Sequence, residues 1–412
     1  MDPKTLFILI IGLLVVNYLF DLLLGYLNAK RFGNKPPSAL ADLYDPEQYQ
    51  KSQEYKRITY RFGLLSGGVS FAATLIFFLV DGFAWVDALA RSWSDHQIVV
   101  ALLFFGIILA ASSILSLPFS YYRTFVIEER FGFNKTTLKT FVLDKIKGAI
   151  IGALIGGGLL ALLIWIYQQT GANFWWYAWA VITGFSVLMN FFYTRLIVPL
   201  FNKQTPLEEG PLKDRLEAYA QTVGFTLSKI MVIDGSKRST RANAYFSGFG
   251  RQKQVTLYDT LIDDLEEDEV VAVLAHEIGH YKCNHIPINL VLGIATTGLT
   301  LFIFSLLIDN PLLSEALGVG QPSFHLGLIA FGILYSPLSE ITGLFMNYLS
   351  RVFEFQADAY AVKTFKAIPL VNGLKKLAKK NLSNLSPHPA YVFVHYSHPP
   401  LDQRISAMLN PQ

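Results

Sequence analysis

Cysteine is nearly missing from this chain: one residue, Cys283, in 412. A lone cysteine excludes an intrachain disulfide and any metal site built from several thiolates. Charge is scarce as well. Only 16% of the residues are Asp, Glu, Lys or Arg, against about 25% in a soluble domain. There is no strong net charge either: the balance is +3, so no global basic excess points to nucleic acid. Internal repeats, low-complexity tracts and disordered tails are also lacking. What takes the place of charge is apolar, 52% of the chain. That composition belongs to a polytopic membrane protein embedded in a lipid bilayer.

Seven tracts reach the length of about 20 apolar residues needed to cross hydrocarbon: 6–26, 62–80, 98–117, 149–167, 176–198, 288–308 and 324–348. The first is longer than a signal-peptide core. It has only Lys4 ahead of it and no small-residue cleavage site behind it, so it reads as a retained span. Lys and Arg then set the orientation. The first loop holds Lys30, Arg31, Lys35, Lys51, Lys56, Arg57 and Arg61, and the third holds Arg123, Arg130, Lys135, Lys139, Lys145 and Lys147. The second has only Arg91, and the fourth and sixth have none. This alternation places the N-terminus outside and the C-terminus in the cytoplasm. Residues 1–198 thus hold spans one to five with their cytoplasmic loops. The non-membrane segments 199–287 and 349–412 are each too small for a core of their own. They are expected to pack as one domain, interrupted by the hairpin of spans six and seven over 288–348.

Within 199–287 the pattern predicts a helix over 212–223 and a strand over 229–233. Strands over 242–249 and 254–258 form a hairpin around Gly248-Phe249-Gly250-Arg251, and a helix follows over 264–281. That last helix opens on Glu266, Glu267, Asp268 and Glu269, as a first turn favours. It carries His276-Glu277-Ile278-Gly279-His280. Residues four apart share a helix face, so His276 and His280 can aim at one ion while Glu277 stands beside them as a base. Catalytic zinc usually has three protein ligands and one open position. A third His six residues after the second, following a Gly, is absent: those positions hold Ile286 and Cys283, and His285 misses the spacing by one. The remaining candidates are Glu340, inside span seven, and Glu354, just beyond it. Glu354 is favoured because Asp358, four residues later on the same face, is placed to orient a ligand imidazole. The hairpin of spans six and seven would hold His280 and Glu354 within roughly 12 Å of the membrane face. A lipid-anchored substrate suits that position. Asp21, Asn190 and Glu340 are costly in lipid and should face protein or water, and the polar seventh span is expected to line a wet interior.

Further markers are Glu354-Phe-Gln-Ala-Asp358, Phe125-Val-Ile-Glu-Glu-Arg-Phe-Gly-Phe-Asn-Lys135, Asn243-Ala-Tyr-Phe246 and Ser397-His-Pro-Pro400. With the pentad, in this order, the chain resembles the type I CAAX prenyl endopeptidases, seven-span membrane zinc metalloproteases of the gluzincin type. The resemblance implies a mainly α membrane protein. Its seven transmembrane helices would surround an intramembrane chamber, capped by a cytoplasmic zincin-like α+β catalytic domain. It implies one Zn2+ per chain on His276, His280 and Glu354, with Glu277 as the base that activates water and Asp358 behind a ligand. It implies His398 as donor to the oxyanion, Arg404 as a further catalytic polar group, and Asn243, Ala244, Tyr245 and Phe246 as the strand that aligns the substrate. The expected reaction is hydrolysis near the C-terminus of a membrane-associated protein, prenylated or not. Two alternatives stand beside it: a broader quality-control protease of membrane proteins, and a seven-span receptor or transporter with a non-catalytic zinc site. The chain ends Leu409-Asn410-Pro411-Gln412, with no lysine-based retrieval signal, and lacks the long loop insertions associated with eukaryotic members. A bacterial inner membrane is therefore the expected location.

Overall fold

The computed structural model describes residues 1–247 and 254–410. The hairpin turn expected at 248–251 lies outside the described residues. Among the described residues six helices are long and apolar enough to cross a membrane: Pro3–Ala29, Pro46–Leu79, Gln97–Glu128, Leu138–Thr170, Phe174–Phe201 and His285–Leu307. A pair bent by 56°, Phe324–Leu334 and Ser336–Thr364, makes a seventh span. The bend has a local cause. Pro337 has no N–H for the carbonyl of Ile333, and the Ser336 hydroxyl donates to that carbonyl instead, at 2.8 Å.

Several helices run well past the apolar tract that defines them. The second begins at Pro46 and the fourth at Leu138, and the seventh continues to Thr364. The overruns are about 24, 16 and 24 Å at 1.5 Å per residue. All three project on the side of the pentad, where they form the framework of the second half of the molecule. Only 6% to 17% of each spanning window is buried inside the chain. A solid bundle would bury a stripe of every helix, so this low burial is that of helices standing in a ring. Separate apolar clusters hold the ring at its ends. One, away from the pentad, joins Leu6, Phe78, Phe83, Phe104 and Leu326. Beside it Asp87 accepts from His325 at 2.7 Å and from Arg91 at 2.8 Å, tying the second loop to the seventh span.

On the pentad side a single core joins residues of 199–287 and 349–412, among them Leu216, Leu257, Leu274, Ile278, Ala361 and Ile405. The same core takes Leu40, Leu43 and Tyr55 from the first loop and Ile127, Phe131 and Phe133 from the third. These loops are structural parts of the domain, which sequence patterning did not anticipate. The four-stranded sheet has the order β1 (Gln204–Pro206), β2 (Lys229–Ile233), β4 (Gln254–Tyr258), β3 (Ala244–Ser247). The expected hairpin is antiparallel, with Ala244 opposite Leu257, while β2 and β4 run parallel. Strand β3 is an edge. The chain entering it is clamped to the third loop: Lys135 N donates to Arg238 O and Thr240 N to Phe133 O. Arg238 also forks onto Asp144 through Nε and Nη2, at 2.7 and 2.8 Å.

The pentad helix, Glu267–Lys282, starts three residues later than patterning suggests, because Glu266 and Glu269 form a reciprocal capping box and a separate turn, Asp259–Asp264, precedes it. It packs most closely against the long helix of the seventh span. A Cβ placed on Gly279 would lie 3.0 Å from both Cα and O of Ala357. Alanine normally gains about 1 kcal/mol over glycine inside a helix, whereas forced overpacking costs about 1–3 kcal/mol. Gly279→Ala is therefore expected to lower the thermal midpoint, while Gly293→Ala, with nothing within 4 Å, should leave it unchanged or raise it. Equal behaviour of the two variants would refute the close crossing.

Candidate active site

His276 and His280 leave the pentad helix one turn apart, and Glu354 faces them from the seventh-span helix. The two Nε2 atoms lie 3.2 Å apart. Glu354 Oε1 is 3.2 Å from His280 Nε2, and Oε2 is 3.5 Å from His276 Nε2. Among the described residues these three form a group whose donor atoms lie close enough to hold one ion. Glu340 is not in it and is exposed on the spanning part of the helix.

Three observations show that this donor set fits a divalent cation. In a tetrahedral site with bonds of about 2.0–2.1 Å, neighbouring ligand atoms stand about 3.4 Å apart, close to the separations above. Glu354 Oε2 is fully buried and has no aligned hydrogen-bond donor, although Arg404 Nη1 lies 3.1 Å away. Glu277, Glu354 and Asp358 are three carboxylates facing one guanidinium, that of Arg404. The carboxylates outnumber the guanidinium, an excess that a bound cation would offset.

The ligands are held from behind. His276 Nδ1 lies 2.9 Å from Asp358 Oδ1, as an ion–dipole approach rather than an aligned hydrogen bond. His280 Nδ1 lies 2.9 Å from His285 Nδ1, and His285 Nε2 lies 2.8 Å from Gln356 Oε1. The His285 ring stacks on Phe353 at 4.1 Å. With Gln356 Oε1 accepting from His285, His285 Nδ1 is left to accept the proton of His280 Nδ1, which keeps His280 Nε2 bare toward the ion. Ligand spacing excludes His285 and does not reveal this positioning role; its signal in the sequence is a third histidine five residues past His280. Arg404 Nε and Nη2 fork onto Asp358 at 2.7 and 2.6 Å. Its third nitrogen faces Glu354, so the guanidinium is committed to two carboxylates. Geometry gives it a positioning place rather than that of a free catalytic donor.

Glu277 opens onto a cavity of about 620 Å³, together with His276, Glu354, His398, Arg404, Asn243 and Ala244. Burial pushes the Glu277 carboxyl up and Glu354 adds to this, while His276 and His280 oppose it. A carboxylate whose pKa is raised is a stronger base. His398 Nε2 stands 3.3 Å from Glu354 Oε1, and its Nδ1 lies 3.0 Å from Ser397 Oγ. Asn243 and Ala244 sit on the cavity wall. Tyr245 and Phe246 do not: Tyr245 turns its hydroxyl to Gln204 and Phe246 packs on Phe225 and Tyr281. Both remain on the edge strand Ala244–Ser247, although their side chains are taken up by neighbours in the domain. What the edge strand offers is backbone.

A pentad helix and a glutamate-bearing helix sharing one ion-sized site, in a chain that spans the membrane several times, define a multi-pass membrane metallopeptidase. Residues 206–412 match the model of peptidase family M48, and residues 25–203 match that of the CAAX prenyl protease N-terminal family, described as five membrane helices. The chain belongs to peptidase family M48. It is 37% identical over 409 residues to "CAAX prenyl protease 1 homolog" of Arabidopsis thaliana, covering 97% of this chain and 96% of the relative. It is 35% identical to "CAAX prenyl protease 1" of Saccharomyces cerevisiae, covering 97% and 94%. The crystal structure of S. mikatae Ste24p superimposes with a TM-score of 0.93 at 34% identity, covering 98% of this chain and 99% of that one.

Burial alone would pull the His280 imidazole down, but the hydrogen bond and charge of Glu354, with Glu277, outweigh it and leave His280 above its usual value. Protons thus compete with metal at His280 from a higher pH than at a free histidine, whose pKa is about 6.5. Metal affinity of the stripped protein, titrated across pH, should begin to fall above that value on acidification; a flat profile down to about pH 5 would contradict it. His285→Ala should weaken metal about 10–100-fold without unfolding the chain; unchanged affinity would remove its positioning role.

Proposed function

We propose that this protein is a zinc endopeptidase that cuts near the C-terminus of membrane-anchored proteins, with prenylated CAAX sequences among its substrates. The relatives named for CAAX processing support the substrate class. The observation that carries the chemistry is the convergence of His276, His280 and Glu354 on one ion-sized point, at the wall of a cavity that Glu277 and the start of an edge strand also line. One Zn2+ per chain is the proposed cofactor, and when bound it polarises a carbonyl and acidifies water. Glu277 accepts the proton of the attacking water and returns it to the leaving amine. His398 donates from Nε2 to the oxygen on which charge develops. Arg404 and Asp358 keep His276 and Glu354 in place. The backbone of Asn243 and Ala244 aligns the peptide as an added strand, which leaves sequence tolerance to the side-chain subsites. The loop charges support a cytoplasmic cavity and C-terminus in a multi-pass protein, with a bacterial inner membrane as the proposed location.

The test is digestion of a farnesylated CAAX peptide and its unprenylated twin by the purified full-length protein, with products read by mass spectrometry. Cleavage of the prenylated peptide alone supports CAAX processing; equal cleavage of both favours broad proteolysis. Glu277→Gln should retain metal and lose at least about a hundredfold in turnover. Glu354→Gln should lose metal itself. Turnover retained by Glu277→Gln, or full metal retained by Glu354→Gln, would reverse these assignments.

A further inference from the structure

A second cavity, of about 680 Å³, lies where the fifth span meets the sheet. Among the described residues its charged lining is Lys147, Arg195, Lys203, Lys229 and Lys237, with no Asp or Glu. Elsewhere on this domain cations meet acids: Arg238 with Asp144, Lys376 with Glu269, Lys380 with Asp264. Asp144 acts on Lys147 and Lys237 from outside the lining, so the cations that a bound anion would serve first are Lys203 and Lys229. The hollow is also built. Lys147 Nζ donates to Leu200 O at 2.7 Å and Lys237 Nζ to Phe201 O at 3.3 Å, fixing the short connection from span to sheet as its wall. The side chains of Lys203 and Lys229 are exposed and make no hydrogen bond or ion pair among the described residues.

Position selects the anion. Lys147 lies in the segment Leu138–Thr170, just ahead of its apolar tract, and Arg195 lies near the end of the segment Phe174–Phe201. Successive spans run in opposite directions, so these two ends are on the same membrane face, the one that carries the pentad. Phosphates of anionic lipids lie at that level, and basic pockets between spans take such headgroups. Lysines bind phosphate as point charges, without the planar demand of a carboxylate fork. We propose that this cavity binds the phosphate of an anionic membrane lipid and so pins the sheet, and with it the edge strand of the active site, to the membrane surface. The site is separate from the metal ligands and independent of the substrate reading above.

The test uses native mass spectrometry of the full-length protein in detergent, titrated with phosphatidic acid or phosphatidylcholine. Phosphatidic acid should be retained and phosphatidylcholine not. Lys203→Gln with Lys229→Gln should weaken retention by roughly thirtyfold, about fivefold per lysine. Lys135→Gln with Lys139→Gln removes the same charge from exposed positions on the same membrane side, outside the cavity, and should change retention less than twofold. If the double variant fails to fold, the single Lys229→Gln carries the same test at about fivefold. Equal loss in both double variants would show diffuse surface attraction and overturn the site. Inorganic phosphate that raises the thermal midpoint through Lys203 and Lys229, with no retention of phosphatidic acid, would overturn the lipid assignment in favour of a soluble anion.

Discussion

At Gly279 the pentad helix runs so close to the seventh-span helix that a methyl group there would press on the backbone of Ala357. Every ligand distance depends on this crossing. His276 and His280 belong to one helix, Glu354 and Asp358 to the other, and side chains this short meet only when the backbones nearly touch. The glycine in the pentad is thus a packing residue. The capping box at Glu266 and Glu269 fixes where the first helix begins, and buried Glu269, bonded to Lys376, ties that start to the helix Ala367–Lys380.

The crossing concentrates negative charge, and the fold answers with a cation from the far end of the chain. Arg404 sits on the last helix, Leu401–Leu409, whose Ile405 and Met408 enter the domain core. Burial alone would pull its pKa down, but Asp358, Glu354 and Glu277 hold it charged. Breaking a buried pair by removing one partner leaves an uncompensated charge, a far larger penalty than the pair's own net contribution. Closing the domain and completing the site are therefore one event: the final helix cannot dock correctly without neutralising the carboxylates behind the ligands.

The spans, the pentad helix and the hairpin were legible in the sequence because each follows a short-range rule: length of apolar run, acidic first turn, alternating strand residues. Glu354 was legible through its i, i+4 relation to Asp358. What escaped depended on contacts between distant segments. Loops one and three carry no pattern that marks Tyr55 or Phe133 as core, since their partners lie far along the chain. Tyr245 and Phe246 are indistinguishable from Asn243 and Ala244 in a motif, and only contacts with distant segments divide them: Gln204 takes the Tyr245 hydroxyl, and Phe225 and Tyr281 take the Phe246 ring. His285 is not legible through ligand spacing, because a hydrogen bond to a ligand obeys a different geometry.

The bend at Ser336 makes the last 29-residue helix an arm pivoted inside the bilayer. Glu354 rides about 27 Å from the pivot, and metal bonds tolerate errors of about 0.2 Å. Rocking by about half a degree would exhaust that tolerance. The long helix therefore acts as a stiff lever with its fulcrum in lipid and its working tip at the ion. Its angular play is held by the contact at Ala357 and by Asn347 and Arg351, which bond the carbonyls of Val394 and Tyr396.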